Sequence, residues 1–279
     1  MINFVVCNDA LLHNCFFEIM TTKALFFDID GTLISFNTHR IPQSTVSALT
    51  AAKANGAKVF ISTGRPMPFI FHLNEIEHLI DGYITTNGGY CFIGNETVYC
   101  HPIAKPDAKV LIDYCLHVDC SAFVVGKETI ALVNHKQVVD DVFGSILDVD
   151  DFNCDTLDHV MQQDILQITA FLSQEQENAI MPTVPGCIGG RWSPAFVDIN
   201  NALADKGKGM LAMAAHCGIS VADTIAFGDG GNDIPILKQA GTGVAMGNAS
   251  CTVKAAADYV TTSVDDNGVA NALKHFGVI

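Results

Sequence analysis

Asp28 and Asp30 stand one residue apart, after the apolar run Ala24-Leu25-Phe26-Phe27 and before Gly31-Thr32. The run has the composition of a fully buried strand. In an extended chain, residues two apart point to the same side. The two carboxylates therefore share a face until Gly31-Thr32 lets the chain turn away. Like charges that close do not both stay ionised and bare, so the pair asks for a cation or a shared proton. A divalent metal is the simpler answer.

An isolated Asp-x-Asp is also what an acidic loop capping a strand looks like. A calcium loop needs a bidentate Glu at its twelfth position. Counting from Asp28, that position is His39, which excludes the EF-hand. Three other stretches carry groups suited to an anion or a metal. Ser62-Thr63-Gly64-Arg65-Pro66 follows the apolar run Lys58-Val59-Phe60-Ile61. A hydroxyl there, with neighbouring backbone N–H groups, can donate to a phosphoryl oxygen, although Ser-Thr-Gly is also a common turn. Asp205-Lys206-Gly207-Lys208-Gly209 opens an amphipathic helix. A lysine at a helix start works against the macrodipole, so it is either aimed at an anion or solvated beside a turn. Lys206 is the first choice and Lys208 the second. Gly228-Asp229-Gly230-Gly231-Asn232-Asp233 follows the strand-like Thr224-Ile225-Ala226-Phe227 and lacks the Gly-Lys-Ser/Thr ending of a phosphate loop. Its acids repel a phosphate unless a metal lies between, and Mg²⁺, which prefers a few carboxylates, phosphate and water, suits them.

In this order, the four stretches resemble the four motifs of the haloacid dehalogenase-like (HAD) phosphohydrolases, the first being Asp-x-Asp-Gly-Thr-Leu/Val after a buried strand. Gly243-Val244-Ala245-Met246-Gly247-Asn248-Ala249 and Asp265-Asp266-Asn267-Gly268-Val269 resemble the C-terminal pattern of the Cof-type sugar-phosphate phosphatases. The resemblance covers about residues 20–279. It implies a Mg²⁺-dependent phosphatase for small phosphorylated metabolites, sugar phosphates above all. Asp28 would be the nucleophile that becomes an aspartyl phosphate, and Asp30 the acid and base. Asp28, Asp229 and the backbone carbonyl of Asp30 would hold the metal, with Asp233 as a ligand or the orienter of a water. Thr63, Gly64, Lys206 and Asn232 would cradle the phosphoryl group, and Arg65 and Asn87 would reach the substrate. The alternatives are a sugar-phosphate mutase and a non-catalytic phosphometabolite-binding protein.

These residues need a scaffold. Strand, helix and strand at these lengths read as the βαβ unit of a parallel sheet, which collects ligands at the carboxyl ends of its strands. The expected fold is α/β: a HAD-like Rossmannoid core with a parallel sheet, built from residues 20–87 and 191–279, plus an inserted α+β cap over 88–190. The cap follows from the turn Asn87-Gly88-Gly89, after which short strand and helix patterns mix without chemistry at their ends. Phe196 to Asn200 is expected as a strand leading back to the core.

Composition narrows the partners. Half the chain is hydrophobic (49%) and only 16% is charged, which is ample for a large core; the net charge of −15 argues against nucleic acid or an anionic membrane surface. A small phosphorylated molecule is expected, with the chain a monomer or weak homodimer. The ten cysteines are scattered without a Cys-x-x-Cys, which points to reduced thiols and a cytoplasmic protein. Residues 1–19 lack both Lys and Arg and do not read as a secretory signal. They are expected to be a dispensable extension.

Overall fold

Ala24, Leu25, Phe26 and Phe27 are all fully buried. A strand shows alternate residues to opposite faces, so both faces of this one must be covered. The computed structural model, which describes residues 23–147 and 152–279, shows how. The expected extension over residues 1–19 lies outside the described residues.

The chain first lays down β1 (Ala24–Phe27), β2 (Lys58–Ser62), β3 (Gly82–Thr85), β4 (Tyr90–Ile93) and β5 (Glu96–Cys100). It then builds a second sheet from β6 (Ala122–Gly126), β7 (Ile130–Val133), β8 (Ile165–Ala170), β9 (Cys187–Ser193) and β10 (Phe196–Asn201). It returns to the first with β11 (Thr224–Gly228), β12 (Thr242–Ala245) and β13 (Tyr259–Val260). The large sheet has the order β13-β12-β11-β1-β2-β3-β4-β5, parallel from β13 to β3 and antiparallel beyond. The small sheet, β7-β6-β8-β10-β9, is antiparallel throughout.

On one face of the large sheet, Leu25 and Phe27 pack against helices Gln43–Ala54 and Gly268–His275. On the other, Ala24 and Phe26 meet helices Lys206–His216 and Ile234–Gln239. Phe26 stacks on Phe60 and Phe27 on Phe227, with ring centroids 4.8 and 4.6 Å apart. Strand β1 pairs with β2 on one side and β11 on the other, with Phe27 opposite both Ile61 and Phe227. The residues that follow, Asp28, Ser62 and Gly228, are therefore level at the carboxyl edge, where the strand order reverses and a ligand crevice opens.

Strand pairing corrects the expected boundaries of 88 and 190. Residues 90–100, expected in the cap, form β4 and β5 of the large sheet. Asn87, in the left-handed region at φ 55°, and Gly88, at φ 90°, reverse the chain so that β4 pairs back on β3. That turn closes a hairpin and does not mark a domain boundary. Strand β10, expected to lead back to the core, lies between β8 and β9 in the small sheet. The crossings between sheets fall between Cys100 and Ala122, and between Asn201 and Thr224.

Helices Lys105–His117 and Gln174–Ile180 cover one face of the small sheet. The other face carries Phe123 and Phe196, which cluster with Phe143 of helix Gln137–Leu147 and with Phe69 from the segment after β2. Phe69 meets Phe123 edge-on at 5.1 Å, so the two units share an aromatic seam beside the crevice. Among the described residues, no helix is long and apolar enough to cross a membrane.

Candidate active site

Asp28 is the first residue past β1 and is largely buried. Its Oδ1 accepts a hydrogen bond of 2.7 Å from Lys206 Nζ, which also donates to Asp233 Oδ1 at 2.6 Å. Lys206 opens its helix and is 1% exposed; Asp205 caps that helix by accepting from the Lys208 N–H. Two carboxylates thus offset the cost of a cation at a helix N-terminus. Lys208, the second choice, is directed away, toward the Leu203 carbonyl.

The Gly228–Asp233 loop folds around its own acid. Asp233 Oδ2 accepts from the backbone N–H groups of Asp229 and Gly230, at 3.1 and 2.9 Å. A Cβ on Gly228 would lie 2.4 Å from that of Asp233, so the loop closes this tightly only with glycine there. Asp229 accepts from Thr32 Oγ1 at 3.2 Å and from Asn248 Nδ2 at 3.2 Å; Asn248 also donates to the Gly31 carbonyl. Gly31 sits at φ 79°, and a Cβ there would come 2.2 Å from Asp229 Oδ2. Thr32 and Asn248 had no role assigned from the sequence. Their motifs were visible, but which acid they hold depends on Thr32 and Asp229, 197 residues apart, meeting in space.

The carboxylates of Asp28, Asp229 and Asp233 can place one oxygen each within 4.8 Å of one another. Burial, and then the neighbouring Asp233 charge, pushes Asp28 well above the usual carboxylate range, with Lys206 opposing. The same two causes push Asp229 up to about 7. Burial favours a neutral Lys206, but Asp233 and Asp28 outweigh it and raise the lysine. Three carboxylates against one lysine leave an excess of negative charge in an all-oxygen donor set. That fits a hard divalent cation such as Mg²⁺.

Asp30 points elsewhere. Arg65 grips its carboxylate with both arms of the guanidinium and anchors itself on the Phe69 carbonyl. Thr63 is buried, and its Oγ1 accepts from the Arg65 N–H at 3.0 Å, which frees the hydroxyl proton to be donated. Asn232 donates to Asn87 Oδ1 at 3.0 Å, and Asn87 donates to Asn200 Oδ1 at 3.2 Å. Asn200 in turn donates to Gln167 Oε1. This chain of amides runs from the acidic loop into the small sheet.

Asp28, Asp30, Thr63, Gly64, Arg65, Asp229 and Asn232 line one cavity of about 200 Å³. Its far wall is made by Phe143, Gln167, Thr169, Phe196 and Asp198. None of these wall residues was singled out in the sequence, because nothing local distinguishes a pocket-facing side chain on a strand, or Phe143 on helix Gln137–Leu147, from one that faces the core.

A family model for haloacid dehalogenase-like hydrolases matches residues 25–273. The chain belongs to this family. It is a HAD-like phosphatase, with the small-sheet unit as its inserted cap. The solved structure of the HAD subclass IIB sugar phosphatase BT4131 is 45% identical, superposes with a TM-score of 0.85, and covers 92% of this chain and 100% of its own. YkrA of Bacillus subtilis is 31% identical over 93% of this chain and 100% of its own length. YcsE of the same organism, named a 5-amino-6-(5-phospho-D-ribitylamino)uracil phosphatase, is 26% identical over 93% of this chain and 97% of its own.

Proposed function

We propose that this HAD-like phosphatase hydrolyses small sugar phosphates with Mg²⁺, through an aspartyl phosphate on Asp28. The observation that carries the reading is the meeting of Asp28, Asp229, Asp233 and Lys206 at one end of a small cavity that Asp30 also lines. At about 200 Å³ the cavity lies below the usual range for ligand pockets, roughly 300–1,000 Å³. It suits a monosaccharide-sized leaving group.

Lys206 holds Oδ1 of Asp28 and so presents Oδ2 to phosphorus. Attack by Oδ2 forms the acyl phosphate as the bond from phosphorus to the sugar oxygen breaks, dividing one difficult displacement into two. Asp30 delivers a proton to the departing oxygen. It then takes one from the water that releases phosphate from Asp28. Arg65 holds both carboxylate oxygens of Asp30. Donation therefore requires the clamp to loosen on one oxygen. Thr63 and Lys206 face the equatorial oxygens, where phosphoryl transfer relies on electrostatic positioning. A Mg²⁺ ion held by Asp28 and Asp229, with the Asp30 carbonyl and Asp233 assisting, would neutralise charge on the phosphoryl group.

The test is release of inorganic phosphate over a panel of sugar phosphates, nucleotides and phosphorylated cofactors, with Mg²⁺ and with chelator. Metal-dependent release, fastest on sugar phosphates, is expected. Formation of an isomeric sugar phosphate without free phosphate would replace hydrolysis by mutase chemistry.

A further inference from the structure

The turn Thr86-Asn87-Gly88 holds three consecutive residues in the left-handed region, at φ 49°, 55° and 90°. Asn and Gly adopt it readily, but a β-branched Thr does not. The Thr86 hydroxyl is also buried and has no hydrogen-bond partner among the described residues. A strained backbone and an orphaned hydroxyl both cost stability, and a hairpin can be closed without either. What the turn secures is the place of the Asn87 amide.

Asn87 is not among the described residues that line the cavity. Both ends of its amide are engaged elsewhere. Oδ1 accepts from Asn232 Nδ2 at 3.0 Å, and Nδ2 donates to Asn200 Oδ1 at 3.2 Å. Gly64 makes room for the first bond, since a Cβ there would come within 2.9 Å of Asn87 Oδ1 and 3.5 Å of Asn232 Nδ2. Asn232 does line the cavity and is itself exposed, so Asn87 supplies a restraint that burial does not.

The direction of these bonds is set from outside the site. The oxygen and nitrogen ends of an amide have the same shape, so a chain of amides alone can run either way. Asn200 removes the ambiguity, because its Nδ2 donates to the backbone carbonyl of Leu166 at 3.2 Å, and a carbonyl only accepts. Asn200 therefore offers its oxygen to Asn87, and Asn87 offers its oxygen to Asn232. Asn232 must meet Asn87 with its NH₂ group. One N–H is spent on that bond, and the other remains for the cavity. A phosphoryl oxygen of a dianion accepts hydrogen bonds and does not donate them, so this is the orientation of Asn232 that stabilises it.

Resting on the reading above of the acidic end of the cavity as the phosphoryl site, we propose that Asn87 is a positioning residue. Through its bond to Asn232 it holds that amide with an N–H toward the transferring phosphoryl group, in an orientation set by the Leu166 carbonyl of the cap.

The test is a double-mutant cycle on the full chain with Mg²⁺, reading kcat/KM on glucose 6-phosphate and on p-nitrophenyl phosphate. Asn87→Gly removes the amide and suits the left-handed backbone. It is expected to lower both values by the same factor of about 10, because the phosphoryl group is common to the two substrates. Asn232→Ala, which removes the donor itself, should cost about 10²-fold. With Asn232 already replaced, Asn87→Gly should cost less than about twofold more. If Asn87→Gly does not fold, Asn87→Ser, too short to span the two amides, takes its place in the cycle. Losses that multiply in the double variant, a loss confined to glucose 6-phosphate, or no loss on replacing Asn87 would overturn the positioning role alone. Wild-type protein that releases phosphate from neither substrate would overturn the reading of the site and the positioning role with it.

Discussion

Arg65 donates to both carboxylate oxygens of Asp30, Nε to Oδ2 at 2.8 Å and Nη2 to Oδ1 at 2.5 Å. This forked geometry fixes the carboxylate's orientation. The two acids of the pair are thereby held by different cations, Asp30 by Arg65 and Asp28 by Lys206, which is the division that the proposed mechanism uses.

A residue that protonates the leaving oxygen matters in proportion to how much that oxygen needs a proton. Asp30→Asn is expected to lower kcat on a sugar phosphate by about 10²–10⁴-fold, and on p-nitrophenyl phosphate far less, because nitrophenolate leaves unaided. Arg65→Lys keeps the charge but loses the fork, and should shift the same ratio by a smaller factor. Equal losses of Asp30→Asn on both substrates would remove the acid role.

Lys206 is a buried cation between two carboxylates, Asp28 and Asp233. Removing one partner of a buried ion pair costs about 3–5 kcal/mol. Lys206→Met, which leaves Asp28 facing Asp233, should lose stability on that scale in chelator. Because Mg²⁺ offsets the same negative charge, the gap to wild type should narrow when the metal is added. Denaturant titrations in chelator and in Mg²⁺ read both effects; an unchanged gap would mean that Lys206 and the metal do not share the same carboxylates.

How much of this site the sequence revealed follows from locality. Asp28, Thr63 and Asp229 were legible because each follows an apolar run whose carboxyl end a parallel sheet collects at one edge. Lys206 and Lys208 both precede a glycine, and their roles separate only where helix Lys206–His216 meets β1. The sheet membership of residues 90–100 and of β10 stayed hidden because apolar patterning shows that a segment is extended and not which edge it joins. The place of Asp198 in the cavity wall was hidden more deeply: it lies mid-strand, and it meets Gln167 and Thr169 only because β10 pairs with β8.

On the proposed reading, protons and Mg²⁺ compete for Asp229. Its native pKa of about 7 exceeds the ordinary unfolded value, so between about pH 4 and pH 7 the native state binds a proton that the unfolded chain does not. Stability from this group is therefore present at low pH and lost as pH rises through about 7. A divalent cation takes the place of that proton, so Mg²⁺ should raise the melting temperature more at about pH 8.5 than at about pH 6. Thermal scans with and without the metal at the two pH values check this. A larger rise at the lower pH would mean that the ion binds elsewhere.

The covalent role of Asp28 is tested most directly by trapping it. A single turnover with a sugar phosphate and Mg²⁺, quenched in acid and read by peptide mass spectrometry, should show a phosphoryl group on the peptide that contains Asp28. Asp28→Asn should show none and release no phosphate while staying folded. A folded Asp28→Asn protein that still releases phosphate at the wild-type rate would contradict the assignment.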